Sequence, residues 1–315
     1  MRRIKAVLYA EQALDYYHKM PPAAGYDSSD SLHDGRNCGS RNARKRRSLL
    51  YRNVFPESRV RSRPALQLLH SISVGMEPLL CREVLDSGVT LTNSRGANAK
   101  PVAEHAVSLM LALTRNIHLS VRAQRRKSWR RSELRNGIEV DGLTLGLIGF
   151  GAIAREIARK AHHLGMNVLA VKRSVSTRDQ AEQPGYVTLL PIDELHRMLQ
   201  AADVVILCLP LTAQTRNLIG RTELNQLKST SYVINISRGS VIDEDALIEA
   251  LREGRIAGAG LDVFSVHPLP EDSPLWESPQ VIVTPYISAA SPHTMTRAMS
   301  IFADNLIRLG AECRC

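Results

Sequence analysis

A short apolar strand that runs directly into a glycine-rich turn and a helix constrains this chain more than any other feature. Residues 143–148 are mostly apolar, and they are followed by Gly149-Phe150-Gly151-Ala152-Ile153-Ala154. In this spacing Gly149 permits a tight turn, Gly151 lets a phosphate approach the backbone, and Ala154 allows the helix to pack closely on the strand. A helix N-terminus also attracts anions. The segment therefore predicts that residues 149–153 hold the pyrophosphate of a dinucleotide.

Strands and helices alternate through the rest of the chain. Short apolar runs predict further strands at 167–171, 203–208, 231–236, 258–263 and 281–284. Helical patterns lie between several of these strands, at 152–164, 192–200 and 243–252. Asp243 is a good N-cap for the last helix, and Gly254 ends it. This alternation predicts an α/β fold with a doubly wound parallel sheet and helices on both of its faces.

The first part of the chain is less regular. Residues 5–10 and 89–92 are predicted to be strands, and residues 66–69 a strand or the end of a helix. A helix is predicted at 102–117, where one face collects the apolar side chains Val102, Ala106, Leu109 and Leu113. Between residues 21 and 64 neither a strand nor a helix period is sustained, which is unusual inside a compact domain. We interpret this irregular or poorly ordered stretch as a mobile insertion or as a segment whose reading frame is disturbed.

Positive charge is concentrated in two stretches. The 315 residues, enough for about two domains, include 41 Lys and Arg against 31 Asp and Glu, a net charge of +10. Residues 21–64 hold ten basic and four acidic residues, and residues 121–136 hold seven and one. Nucleic-acid binders commonly interleave aromatic side chains for base stacking, and aromatics are only 4 % here. A nucleic-acid partner is therefore not expected, and the basic faces are interpreted as solvated or as meeting an anionic cofactor or substrate.

Cysteine usage and hydropathy bear on the cellular compartment, on membrane association and on metal binding. Five scattered cysteines argue against a disulfide framework and favour the reducing cytoplasm. The longest apolar runs, such as 204–211, are too short to span a bilayer, so no membrane partner is expected. Cys313 and Cys315 have no His or Cys pair nearby in the sequence, and no metal site is predicted.

The residues after the second strand of this pattern bear on the choice of cofactor. Lys172-Arg173-Ser174 follow it, where an NAD site places an acidic residue to accept hydrogen bonds from the ribose. Lys172 and Arg173 could pair with a 2′-phosphate, and Ser174 could add a hydrogen bond. The sequence thus favours NADP over NAD. The alternative is a basic loop open to solvent.

Polar side chains also lie at the ends of three later strands. Arg238 follows one of them, Asp262 and His267 close the next, and Tyr286 follows the last. Ligands of an open parallel sheet sit beyond the carboxyl ends of its strands. We therefore expect an Arg, a His and a Tyr in one crevice, where they could bind an anion and transfer a proton.

Over about residues 66–305 the chain resembles the D-isomer-specific 2-hydroxyacid dehydrogenases, including the glyoxylate/hydroxypyruvate reductases. The resemblance rests on residues 71–75, 102–105, 149–154, 208–211 with Thr215, 235–243, 261–264 and 284–285. It implies a smaller flavodoxin-like substrate domain of residues 1–100 and 290–315, and a Rossmann-like cofactor domain of residues 101–289. It also implies a homodimer. Residues 121–136 are a candidate dimer arm or interdomain crossing.

The resemblance implies roles for individual residues. Arg238 would clamp the carboxylate of a small 2-keto or 2-hydroxy acid, and the backbone around Ser73, Val74 and Gly75 would hold its other side. Asp262 would orient the nicotinamide carboxamide. Further cofactor contacts are expected from Cys208, Leu209, Pro210, Thr215, Ile236, Ser237, Arg238 and Tyr286.

Two positions depart from the family's pattern, which usually has a Glu at the position of His267 and a catalytic His at that of Tyr286. A tyrosine is protonated at neutral pH. It can therefore act as general acid for reduction, positioned by His267, but it is a poor base for oxidation. Three hypotheses follow: a 2-keto acid reductase, an NADP(H)-binding sensor or interaction protein that catalyses nothing, and a reductase of a different small carbonyl or imino acid.

Overall fold

The computed structural model describes residues 6–9, 48–51, 66–76 and 79–312. The chain divides into two compact units, Met1–Asn98 with Ser291–Cys315 and Ala99–Ala290. The domain boundaries expected from the sequence, at 100/101 and 289/290, lie within two residues of this division. The roles expected for the two units, substrate domain and cofactor domain, stay predictions.

The described residues form eleven strands and ten α-helices. The strands are β1 (Ala6–Tyr9), β2 (Ser48–Tyr51), β3 (Leu68–Ser71), β4 (Thr90–Asn93), β5 (Thr144–Ile148), β6 (Asn167–Lys172), β7 (Val187–Pro191), β8 (Val204–Leu207), β9 (Tyr232–Asn235), β10 (Gly258–Leu261) and β11 (Val281–Val283). The helices are α1 (Arg82–Leu85), α2 (Ala99–Thr114), α3 (Ile117–Arg125), α4 (Arg131–Leu134), α5 (Ala152–His163), α6 (Thr177–Glu182), α7 (Leu195–Ala201), α8 (Arg221–Leu224), α9 (Glu244–Arg252) and α10 (Thr294–Glu312).

The larger unit is built on a seven-stranded sheet in which every pair of neighbouring strands is parallel. Its order is β11-β10-β9-β8-β5-β6-β7, so successive strands move outward first on one side of β5 and then on the other. The order in which successive strands are added to the sheet reverses between β5 and β8. In open α/β sheets, ligands bind beyond the carboxyl ends of the strands at this switch point.

Apolar layers cover both faces of the larger sheet. On β5, Leu145 and Leu147 pack in one layer with α2 and α5, while Ile148 packs in the opposite layer with α7 and α9. A strand buried on both faces needs a continuous apolar run rather than an alternating one. This requirement explains the apolar runs in the sequence, and the predicted α/β class with a doubly wound parallel sheet is confirmed.

The strands predicted from residue 143 onward are all present, but β7 and α6 were not predicted. The run 187–191 is only five residues long and ends in proline, which is tolerated here because β7 is an edge strand. The predicted helix 102–117 is also corrected, because α2 ends at Thr114. Asn116 adopts a left-handed conformation with φ of 55°, and α3 then begins at Ile117.

The smaller unit has a parallel sheet in the order β1-β2-β3-β4. The strand expected at 5–10 is present as β1, and residues 66–69 overlap β3. The expectation that 21–64 is irregular throughout is wrong for β2, which pairs with β1 and β3. Its four residues are too few to show a period in the sequence. The remainder of 21–64 lies outside the described residues.

A buried histidine makes the stability of the smaller unit depend on pH. His70 on β3 is fully buried, with Nδ1 2.8 Å from the Thr92 hydroxyl and Nε2 3.0 Å from the Ser94 hydroxyl. Burial disfavours the imidazolium ion and lowers the pKa of His70 to about 4. The unfolded chain therefore binds a proton below its ordinary value of 6.5, while the folded chain does not until about pH 4.

We expect the free energy of unfolding to fall as the pH drops from 6.5 towards 4, with His70 contributing a loss of about 3 kcal/mol. The measurement is urea unfolding followed by circular dichroism at several pH values. His70→Gln is expected to be less stable at pH 7 but to lose less stability on acidification. An equal acid loss in both proteins would contradict this assignment.

Candidate functional site

The turn after β5 has the shape needed to receive a phosphate. Gly149 adopts φ of 91°, and a β-carbon there would lie 2.8 Å from the carbonyl oxygen of Cys208. Only glycine therefore suits this position. Gly151 is the N-cap of α5 and provides no side-chain cap, so the first-turn amides have no capping partner among the described residues. The guanidinium of Arg155 lies 4.7 Å from the ring centroid of Phe150 and adds a cation on the first turn.

The loop after β8 lies against this turn. The Cys208 amide donates to the carbonyl of Ile148 at 2.8 Å, which continues the pairing of β8 with β5. Thr215 folds the loop back, since its hydroxyl donates to the Pro210 carbonyl and accepts from the Thr212 amide, both at 2.7 Å. Burial raises the pKa of the Cys208 thiol well above its ordinary value. Cys208 is thus neutral and unsuited to nucleophilic chemistry.

The end of β6 contains an acidic partner that the sequence prediction missed. Lys172 forms an ion pair with Asp179, which lies in the first turn of α6. Lys172 and the amide and hydroxyl of Ser176 all contact Asp179, and they hold the pKa of its carboxyl far below the usual range. Arg173 and Ser174 are exposed, and neither has a side-chain partner among the described residues. The capping-box spacing of Ser176 and Asp179 was the signal available in the sequence.

The loop after β9 carries Arg238. Asn235 shapes it, because its Oδ1 accepts from the amide and hydroxyl of Ser237 while its Nδ2 donates to the Arg238 carbonyl at 3.0 Å. Ile236 and Ser237 are buried, and Arg238 is half-buried. The Arg238 guanidinium donates to the Ser237 carbonyl at 2.8 Å. At Gly239 a β-carbon would overlap the Phe264 carbonyl, so the loops after β9 and β10 are in close contact.

Asp262 connects the ends of β10 and β11. It was expected inside a strand but follows β10 directly, and its side chain is fully buried. Its Oδ1 accepts from the Thr284 hydroxyl at 2.6 Å and the Ile287 amide at 2.9 Å, and its Oδ2 accepts from the Ser288 amide at 3.0 Å. The carboxylate therefore fixes the loop that carries Tyr286. Its expected contact with a nicotinamide stays a prediction.

His105 on α2 extends this network and was not predicted as a site residue. Its Nε2 lies 3.0 Å from the Thr284 hydroxyl oxygen and 3.6 Å from Asp262 Oδ1. Because the Thr284 hydroxyl donates to Asp262, its oxygen remains free to accept from His105. No short-range pattern indicates this role, since His105 and Thr284 are 179 residues apart.

Tyr286 and His267 are neighbours. Their ring centroids are 5.5 Å apart, and the Tyr286 side chain is 61 % exposed. Tyr286 adopts φ of 56°, a left-handed conformation that costs a non-glycine residue about 1 kcal/mol or more. The Phe264 amide donates to Nε2 of His267 at 3.2 Å. This contact requires an unprotonated Nε2, so the proton of a neutral ring is on Nδ1.

The larger unit thus brings the predicted cofactor loops, Arg238, Asp262, His267 and Tyr286 to the carboxyl edge of one sheet. The predicted substrate residues Ser73, Val74 and Gly75 follow β3 in the smaller unit. There Ser73 donates to the Gly75 carbonyl at 3.1 Å, and Asn93 donates to the Val74 carbonyl at 2.7 Å. The amides of Val74 and Gly75 donate no hydrogen bond within the described residues.

The described residues offer neither a metal centre nor a membrane-spanning helix. They contain no cluster of three or more His, Cys, Asp or Glu side chains arranged to hold a metal ion. They also include no helix that combines the length and apolarity needed to cross a bilayer.

Comparison with known proteins decides the family. A family model described as "D-isomer specific 2-hydroxyacid dehydrogenase, NAD binding domain" matches residues 107–288. The chain belongs to this family. A D-isomer-specific 2-hydroxyacid dehydrogenase is an oxidoreductase that uses a nicotinamide cofactor, and the matched segment contains the glycine turn together with all the strands of the larger sheet. The resemblance predicted from the motifs is therefore confirmed.

Relatives within the family carry different names. The chain is 35 % identical to the glyoxylate reductase of Korarchaeum cryptofilum over 78 % of its own length and 73 % of that protein. It is 34 % identical to the D-3-phosphoglycerate dehydrogenase of Archaeoglobus fulgidus over 78 % of its own length and only 45 % of that longer protein. A D-isomer specific 2-hydroxyacid dehydrogenase of Xanthobacter autotrophicus, solved with NADPH and MES, superposes with a TM-score of 0.79 at 28 % identity, covering 98 % of this chain and 95 % of that one.

Proposed function

We propose that this 2-hydroxyacid dehydrogenase reduces a small 2-keto acid to the 2-hydroxy acid, with NADPH as preferred cofactor and NADH as the alternative. The observation that carries the proposal is the Tyr286–His267 pair. This pair lies at the same sheet edge as Arg238 and the glycine turn after β5. A phenol next to an imidazole can deliver a proton where the family usually has an imidazole next to a carboxylate.

The cofactor would be held by residues that follow five strands of the larger unit, β5, β6, β8, β9 and β10. The first-turn amides of α5, which have no capping partner in the described part of the chain, suit a pyrophosphate, and exposed Arg173 and Ser174 suit a 2′-phosphate. The bound cofactor supplies the hydride. The family resemblance assigns the nicotinamide carboxamide to Asp262, whose Oδ2 has a single described donor. The proposed contacts also include Cys208, Leu209, Pro210, Thr215, Ile236 and Ser237, and the relative solved with NADPH supports the choice of cofactor.

The substrate would be oriented by its carboxylate. We assign this carboxylate to the planar guanidinium of Arg238, which can donate two parallel hydrogen bonds. The family resemblance assigns its other contacts to Ser73, Val74 and Gly75, and the amides of Val74 and Gly75, which donate to none of the described residues, are suitable donors. The names of the relatives, glyoxylate reductase and D-3-phosphoglycerate dehydrogenase, support a short 2-keto or 2-hydroxy acid.

Tyr286 would supply the proton. Reduction places a hydride on the carbonyl carbon of the keto acid and leaves charge on its oxygen. The Tyr286 hydroxyl donates its proton to that oxygen, the O–H bond of the phenol breaks, and an O–H bond forms on the product. Since Tyr286 is 61 % exposed, water can return the proton to the phenolate. His267 touches no reacting atom in this scheme and acts by positioning the tyrosine ring.

A second function is favoured by two observations. Neither the Glu nor the His that the family usually carries is present, and Tyr286 is largely exposed. A protein that binds NADP(H) without turnover, as a sensor or interaction protein, would have this site. Reduction of a different small carbonyl or imino acid would also dispense with the usual His.

We also propose, from the resemblance and the cysteine usage, a cytoplasmic homodimer.

The test is a spectrophotometric titration of the full chain with NADPH and NADH, with and without glyoxylate, hydroxypyruvate and pyruvate. We expect NADPH to bind and its absorbance to be lost with at least one of the three acids. Binding without loss of absorbance for the whole panel would favour the non-catalytic protein. Turnover only with an added amine would identify an imine reductase, and no binding of either cofactor would refute the proposal.

A further inference from the structure

One carboxylate holds both ends of the loop that follows β6. Asp179 Oδ1 pairs with the ammonium of Lys172, the last residue of the strand, and Asp179 Oδ2 accepts from the amide and hydroxyl of Ser176 at 3.0 and 2.8 Å. Residues 173–175 span these two contacts. An acidic residue therefore does reach this strand end, although it comes from α6 and not from the expected position in the sequence.

The ion pair makes the two cations of the loop, Lys172 and Arg173, electrostatically unequal. Lys172 is compensated by Asp179, while Arg173 is exposed and has no side-chain partner among the described residues. Two adjacent positive charges thus act on an incoming anion as little more than one. The loop therefore attracts a phosphate less strongly than the two positive charges of Lys172-Arg173-Ser174 would indicate.

We propose that Asp179 limits the preference of this protein for NADP(H) by holding Lys172 away from the adenosine 2′-phosphate, so that Arg173 is the main cation for that group. The inference rests on the proposed cofactor function and deepens it by identifying a residue that sets specificity. NADH lacks the 2′-phosphate, so its affinity should depend little on whether Lys172 is free.

The expected size of the effect follows from exposure. The Lys172 side chain is 37 % exposed and that of Asp179 is 20 % exposed, so the pair is partly screened by water. Partly exposed ion pairs contribute modestly, whereas a charge-assisted bond to phosphate is stronger. We therefore expect that releasing Lys172 raises the affinity for NADPH relative to NADH by about threefold to tenfold.

A double-mutant cycle tests the inference through binding. The proteins are the full-length wild type, Asp179→Asn, Lys172→Gln and the double variant, each titrated with NADPH and NADH by calorimetry. The introduced asparagine keeps a side-chain oxygen that can accept from Ser176, so the cap of α6 is retained. We expect Asp179→Asn to raise the NADPH-to-NADH affinity ratio and the double variant to return it to the wild-type value. Lys172→Gln alone leaves the Asp179 carboxylate uncompensated and should lower the ratio, but by less than the same substitution does in the Asp179→Asn background.

Ser176→Ala is the matched control, because it weakens the cap of α6 without changing any charge, and it should leave the affinity ratio unchanged. A ratio that is unaltered or lower in Asp179→Asn overturns the inference. So does an equal loss when Lys172 is replaced in the wild type and in the Asp179→Asn background, since Lys172 would then already contact the phosphate. If the wild type binds neither cofactor, the proposed function fails as well. If it binds both and only the cycle is flat, this inference alone fails.

Discussion

Replacing Tyr286 by phenylalanine is expected to lower the rate of keto-acid reduction by about 10²-fold or more, the usual cost of removing a general acid. The variant loses only the phenolic hydroxyl. Phenylalanine keeps the ring that lies 5.5 Å from His267, and the left-handed backbone is held by Asp262 through the next two amides. Affinity for NADPH should stay close to that of the wild type. Steady-state and single-turnover rates measure the change.

His267→Gln is the companion variant for this prediction. A glutamine oxygen can accept from the Phe264 amide as Nε2 of His267 does, so the loop should keep its shape. A positioning role predicts a smaller rate loss than Tyr286→Phe causes. It also predicts that adding the second substitution to Tyr286→Phe causes little further loss. Unchanged turnover in Tyr286→Phe would eliminate the proposed proton donor.

Replacing Gly151 by aspartate is expected to weaken NADPH binding by about 10²-fold or more, because a carboxylate would occupy the phosphate position and bind the same amides. Gly151 has φ of −96° and ψ of −162°, an extended conformation that any residue adopts. Aspartate is moreover a favoured N-cap. The substitution should therefore preserve or raise the stability of the larger unit while binding is lost, and urea unfolding and calorimetry measure the two effects.

Gly151→Asn separates charge from size at this position. Asparagine has nearly the shape of aspartate but is neutral, so it should cost less NADPH affinity, and the difference between the two variants should shrink at high salt. Equal affinities of wild type and Gly151→Asp would mean that the N-terminus of α5 does not hold the pyrophosphate.

Much of the larger unit could be predicted from short-range patterns. Strands buried on both faces need unbroken apolar runs, and the turn after β5 needs a glycine at position 149 because a β-carbon would meet the Cys208 backbone. Other elements lacked such a local requirement. The edge strand β7 and the four-residue β2 are defined by their pairing with neighbours rather than by their own sequence.

The positions of Arg238 and Tyr286 beyond strand ends could be predicted, because each follows a recognisable apolar run, and their roles stay predictions. The site was not predictable where function depends on contacts between distant segments. His105 reaches Thr284 across 179 positions, and Asp179 returns to Lys172 only because α6 folds back on the end of β6. The first contact adds His105 to the hydrogen-bond network of Asp262 and Thr284, and the second compensates the charge of Lys172.

A crystal structure of the protein grown with NADPH is the sharpest test of the proposed cofactor site. We expect pyrophosphate oxygens within hydrogen-bond distance of the backbone amides of residues 151–153, with the nicotinamide on the side of the sheet edge that carries Arg238 and Tyr286. A dinucleotide bound elsewhere, or an Arg238 side chain turned away from the nicotinamide, would contradict it.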